Sequence, residues 1–72
     1  MPVSSEIKVF VKYKPGEKDI VLKAGSRAED VIKAIGGNVS TTIVMREGLP
    51  IPIDEIILDG DEIELVETVS GG

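Results

Sequence analysis

A single stripe of helical spacing lies in the middle of this chain with short alternating segments on both sides, and that arrangement limits the folds open to it. Ala28, Val31, Ile32 and Ile35 recur at i, i+3, i+4 and i+7, which gathers apolar side chains on one face of a helix. Ser26 and Glu29 stand before the stripe as Ser-x-x-Glu, the pattern of a capping box in which each side chain satisfies a backbone N–H of the first turn. Gly36-Gly37-Asn38 follows it, and these residues tolerate the left-handed φ that ends helices. A glycine pair that follows a helix instead of opening one is not a phosphate loop.

The flanking segments read as strands. From Glu6 to Tyr13, Ile7, Val9, Val11 and Tyr13 alternate with Lys8, Phe10 and Lys12, the pattern of a half-buried strand. Lys14-Pro15-Gly16-Glu17 is a turn by its Pro-Gly pair, and Asp19 to Lys23 is a second strand with Ile20 and Leu22 inward. Beyond the helix, Thr41 to Arg46 predicts a third strand, with Ile43 and Met45 inward and Thr42 and Val44 outward. Pro50 and Pro52 lack the ladder N–H and confine their stretch to loop or edge. Asp54 to Leu58 is a connector, Asp59-Gly60-Asp61 a tight turn, and Glu62 to Val69 the last strand. A lone helical stripe between two such halves must be buried against the inward rows of a sheet. The expected fold is α+β, a ββαββ β-grasp in which one helix crosses a four-stranded mixed sheet. Residues 1–69 are expected to form the domain and 70–72 a flexible Ser-Gly-Gly tail. The expected core is Ile7, Val9, Val11, Ile20, Leu22, Val31, Ile32, Ile35, Ile43, Met45, Ile63 and Leu65.

Composition removes most chemistry. A chain of 72 residues buries only about 60% of its unfolded surface, enough for one core and no deep catalytic cleft. It has no cysteine and no histidine, so thiolate sites, disulfides and the commonest general base are absent. No bound cofactor and no metal site is expected, and no Ser or Thr nucleophile has a visible base partner, which argues against an enzyme. The net charge of −5 is unevenly spread: all eight basic residues lie at or before Arg46, and from Glu47 onward there are eight acids and no base. Such a surface suits a partner with a basic docking face. Direct nucleic-acid binding is disfavoured by the sign of the charge and by an aromatic content of one Phe and one Tyr. No apolar run is long enough to span a membrane, and the first residues lack the parts of a signal peptide. A cytoplasmic protein is expected.

The chain ends in Gly71-Gly72. Glycines without Cβ atoms can be threaded into a narrow site and adopt backbone angles closed to other residues, so a carboxylate carried on such a thread can serve as a substrate.

Over nearly its whole length the chain resembles the ubiquitin-like proteins. Ile7-Lys8-Val9-Phe10-Val11-Lys12 looks like ubiquitin's first strand, and Ile63 to Gly72 aligns with its last strand and tail. Leu58-Asp59-Gly60-Asp61-Glu62-Ile63-Glu64-Leu65-Val66 and the terminal Gly-Gly are more similar to the sulfur carriers of thiamine and molybdopterin synthesis and to the small archaeal modifier proteins. Thr68 and Ser70 stand where ubiquitin has arginines, so an activating enzyme that reads tail arginines would not fit.

The resemblance implies a carrier chemistry. An adenylating enzyme of the ubiquitin-activating type uses Mg-ATP to convert the Gly72 carboxylate to an acyl-adenylate, and persulfide sulfur then gives a thiocarboxylate. That group donates sulfur to a synthase in cofactor biosynthesis or to a tRNA thiolation enzyme. In the modifier branch a target lysine attacks instead and forms an isopeptide bond. A third reading, from outside that chemistry, is an interaction domain with an incidental Gly-Gly end. Docking is expected on the open face of the sheet, where Phe10, Val44 and Val66 converge within a rim that includes Glu64 and Glu67.

Overall fold

The computed structural model describes residues 5–13 and 16–68. The strands are β1 (Glu6–Tyr13), β2 (Gly16–Lys23), β3 (Thr42–Arg46), β4 (Leu49–Ile51) and β5 (Glu62–Glu67), with the helix α1 (Ala28–Ala34) between β2 and β3. They form one five-stranded sheet in the order β2-β1-β5-β3-β4. The central pair, β1 and β5, is parallel, and every other pairing is antiparallel. The expected β-grasp is present with one strand more than the four anticipated. The addition is β4, a three-residue edge strand through Pro50, and an edge is where a residue without an N–H can sit.

Strand β1 has the boundaries its alternation predicts. Strand β2 starts three residues earlier than expected, because hairpin pairing carries the polar residues Gly16, Glu17 and Lys18 along opposite Tyr13, Lys12 and Val11. The helix starts one residue later than the capping box implied. Arg27 is extended, and its N–H donates to Asp30 Oδ2 at 2.8 Å. Ser26 Oγ instead donates to the Lys23 carbonyl at 2.7 Å, and the Ser26 carbonyl accepts from Ile57 N at 2.9 Å. The other end follows expectation. Gly36 takes a φ of 80°, Gly37 N donates to Ile32 O at 2.9 Å and Gly36 N to Lys33 O at 3.1 Å, the two bonds of a Schellman stop.

The core lies between α1 and the sheet and comprises Ile7, Val9, Val11, Ile20, Ala28, Val31, Ile32, Val44, Ile57, Ile63 and Leu65. Leu22 and Ile35 pack against it half-buried. Two corrections follow. Val44, expected outward, is buried, while Ile43 is exposed and Met45 is half-buried. Residues opposite one another across a ladder share a face. Val44 is opposite buried Leu65, and Ile43 is opposite Val66. The run Ile43-Val44-Met45 carries no alternation of its own, so a one-residue slip in phase inverts the strand. The second correction is Ile57, a core residue supplied by the connector.

That connector is held at both ends. Residues 53–57 run beside the start of α1, with Glu29 N donating to Ile53 O and Ala28 N to Glu55 O, both at 2.9 Å. Asp59-Gly60-Asp61 then latches onto β1. Asp59 Oδ1 accepts from Lys8 N at 2.8 Å, while Gly60 N donates to Lys8 O at 2.8 Å and Phe10 N to Asp61 O at 2.9 Å. Gly60 has a φ of 85° with open space where a Cβ would stand, so backbone conformation and not crowding calls for glycine.

Ile57→Ala is expected to lower unfolding free energy by about 2–4 kcal/mol. Ile56→Ala, at a neighbouring exposed site, is expected to stay within about 0.5 kcal/mol. Urea denaturation followed by circular dichroism checks the pair, and equal losses would contradict the placement of the connector. By the same measurement, Asp61→Ala is expected to cost about 1–3 kcal/mol through the donors it strands.

Candidate functional site

Gly71 and Gly72, the expected reactive end, lie outside the described residues, as do Val69 and Ser70. What the structure describes is the root from which they extend. Strand β5 ends at Glu67, and Thr68 is tied down twice, its N–H and its Oγ1 both donating to the Thr41 carbonyl at 2.7 and 2.9 Å. Thr41 closes a 3₁₀ turn, Val39–Thr41, organised by Asn38. Asn38 Oδ1 accepts from Ser40 N at 2.9 Å, and its carbonyl accepts from Thr41 N at 3.1 Å and from Thr42 Oγ1 at 2.7 Å. The short polar stretch after the helix therefore anchors the last described residue.

The face of the sheet turned away from α1 carries Lys8, Phe10 and Lys12 from β1, Glu62, Glu64 and Val66 from β5, and Ile43 and Met45 from β3. Val66 and Ile43 are directly opposite and similarly exposed, at 40% and 41%, and Met45 extends their patch beside Glu64. Phe10 is on this face as expected, but it is opposite Glu62. It is therefore four positions from Val66 along β5, about 13 Å at strand rise, with Glu64 in between. The Lys8 ammonium stands over its ring, 6.0 Å from the centroid, a cation–π distance. The open face thus holds two apolar spots divided by a Lys12–Glu64 cross-strand pair.

Of the expected docking residues, Phe10, Val66 and Glu64 share this face. Val44 does not, since it is in the core. Glu67 alternates with Val66 in the pleat, which puts it in phase with Ile63 and Leu65 at the exposed end of the strand. Ile43 and Met45 were missed for the reason that displaced Val44. The signal that could have found them is Arg46. It shares the helix-side phase of Val44, and such a charge is tolerable there only when paired. Carboxylates meet it: Arg46 Nη2 donates to Glu55 Oε2 at 2.7 Å, and Nη1 donates to Asp61 Oδ2 at 3.1 Å and to the Ile56 carbonyl at 3.3 Å. Burial works against the guanidinium charge, but the hydrogen bonds to Glu55 and Asp61 outweigh it and hold its pKa above the ordinary value.

Among the described residues every buried side-chain nitrogen and oxygen has a hydrogen-bond partner, and no group of His, Cys, Asp and Glu is gathered as for a metal ion. No helix among them is long and apolar enough to cross a membrane. The arrangement offers surfaces and an anchored strand end, which suit docking and presentation.

Comparison with known proteins agrees with this geometry. The sequence profile of the ThiS family matches residues 7–72. An uncharacterized protein of Archaeoglobus fulgidus is 29% identical over 63 residues, covering 88% of this chain and 91% of the relative. The fold is shared with Caldiarchaeum subterraneum ubiquitin at a TM-score of 0.69 and 16% identity, covering 93% of this chain and 99% of that one. SAMP1 from Haloferax volcanii superposes at 0.70 and 18% identity, covering 90% and 99%. The UBL domain of Plasmodium falciparum Dsk2 does so at 0.72 and 19%, covering 88% and 99%. The chain has the ubiquitin-like β-grasp fold and belongs to the ThiS family.

Proposed function

We propose that this protein is a sulfur carrier whose Gly72 carboxylate is adenylated and converted to a thiocarboxylate, which donates sulfur in thiamine or molybdopterin biosynthesis or in tRNA thiolation. The observation that carries the reading is that the ThiS match runs through Gly71-Gly72 on a chain whose last strand is anchored up to Thr68.

The chemistry requires activation because a carboxylate is a poor electrophile with a poor leaving group. In the first step a Gly72 carboxylate oxygen attacks the α-phosphorus of Mg-ATP on the adenylating enzyme, and pyrophosphate leaves. In the second, a persulfide sulfur of a donor protein attacks the carbonyl carbon and AMP leaves, giving an acyl disulfide. A thiol then attacks the donor's sulfur in that bond, so the S–S bond is reduced to the thiocarboxylate as a new disulfide forms. This chain supplies the reacting carbonyl and the docking surface, and no side chain of it enters these steps. Attack by a target lysine on the adenylate, forming an isopeptide bond and releasing AMP, would instead make it a modifier.

Docking to the adenylating enzyme is assigned to the Ile43–Met45–Val66 patch, which adjoins the root of the tail. Glu64 is in its rim. An apolar centre with a charged border is a common build for a binding surface.

Two outcomes test the proposal. Deleting Gly72, or adding residues after it, is expected to abolish ATP–pyrophosphate exchange with the cognate adenylating enzyme while leaving the melting transition in place. Retained exchange would show that the terminus does not react. Ile43→Ala or Val66→Ala is expected to weaken binding to that enzyme by about 1–2 kcal/mol, more than Phe10→Ala. Calorimetric titration measures this, and a dominant Phe10 would move the interface toward β2.

A further inference from the structure

Between Leu49 and Leu58 the fold buries Ile57 but leaves Leu49, Ile53, Ile56 and Leu58 exposed. Leu49 and Leu58 are 67% and 61% exposed, more than either member of the Ile43–Val66 pair, and Ile56 is 41% exposed. Single exposed apolar residues need no explanation, but a group of them on one stretch marks a contact surface.

The backbone at each of Leu49, Ile56 and Leu58 is linked to Arg46, by strand pairing or by hydrogen bonds. Arg46 is opposite Leu49 in the β3–β4 pair. Its Nη1 donates to the Ile56 carbonyl and to the Asp61 carboxylate, and that same Asp61 oxygen accepts from Leu58 N at 2.9 Å. Ile57 points into the core, so Ile56 and Leu58 on either side of it are directed away from the core. The segment is also held in advance of binding, by the Arg46 hydrogen bonds and by the backbone bonds to the start of α1, which lowers the ordering cost of association.

Charge selects the occupant. Arg46 is the last base in the sequence, and it is engaged by Glu55 and Asp61. Glu47, Asp54 and Asp59, each within two residues of a member of the apolar group in sequence, are exposed. A second copy of this chain would bring the same acids against them, and like charges juxtaposed across an interface are rejected.

We propose that Leu49, Ile56 and Leu58, with Glu47, Asp54 and Asp59 as rim, form a second docking surface for a protein segment that presents aliphatic or aromatic side chains flanked by lysine or arginine. The surface is separate from the Ile43–Val66 patch, and its existence does not depend on what Gly72 does.

Selection of a random peptide display library on the full-length protein, with a Leu49→Ser/Leu58→Ser variant as counter-target, tests this. The recovered peptides are expected to pair apolar residues with an excess of Lys and Arg and to bind the variant at least about tenfold more weakly. Their affinity is expected to fall several-fold between low and high salt, as exposed charge is screened. They should also perturb the amide resonances of residues 49–58. A Glu47→Lys/Asp54→Lys variant, with the apolar group intact, is expected to lose the basic peptides too, so the test does not hang on one mutant. Recovery of acidic or uncharged peptides, of none that discriminate the variants, or of peptides that perturb Ile43 and Val66 instead would overturn the proposal. So would a dimer of the parent chain in sedimentation that the Leu49→Ser/Leu58→Ser change abolishes.

Discussion

Strands β1 and β5 are neighbours in the sheet though the middle of the chain separates them, and they run parallel. Parallel strands cannot be joined by a tight hairpin, so the chain between them must cross over. The crossover here contains β2, α1, β3 and β4, and it covers one face of the pair with the helical stripe. Val9 and Val11 of β1 and Ile63 of β5 meet Val31 and Ile32 of α1 in the same cluster. The pairing also sets what is left over. The far face of the sheet stays open, and β5 runs out at the end of the sheet where Thr68 is fastened to Thr41.

Much of this was legible in the sequence because the signals were periodic. Strand β1 alternates cleanly over eight residues, the helical stripe has a stop signal of two glycines, and proline confined Leu49–Ile51 to an edge. What was not legible depended on partners distant in the chain. The phase of Ile43-Val44-Met45 is set by Leu65 across the ladder and by the carboxylates that let Arg46 occupy a helix-side position. Ile57 enters the core because backbone bonds to Ser26 and Ala28 bring the connector against the helix, and no period announces that. The cap moved from Ser26 to Arg27 for the same reason. In each case a tertiary contact overrode a local pattern that was itself sound.

The candidate site divides along the same line. Phe10, Glu64 and Val66 were placed on the open face by alternation alone, whereas Val44 gave way to Ile43 and Met45 once the register was known. The Asp-Gly-Asp sequence, which carries much of the family resemblance, is a structural latch: Asp59 and Gly60 hold β1, and Asp61 binds Arg46 and closes its own turn. Its residues seat β5, the strand that leads to the anchored Thr68, beside β1. In the proposed role such a body would supply surfaces to be read and leave catalysis to its partners.

The central claim is that the terminal carboxylate becomes a thiocarboxylate. Intact-mass measurement of this chain, after incubation with its cognate adenylating enzyme, Mg-ATP and a persulfide sulfur source, addresses it most directly. The account predicts a mass gain equal to replacement of one oxygen by sulfur, located by fragmentation to Gly72. An unchanged mass under conditions in which the enzyme adenylates the chain, or mass appearing only as isopeptide-linked conjugates, would contradict it.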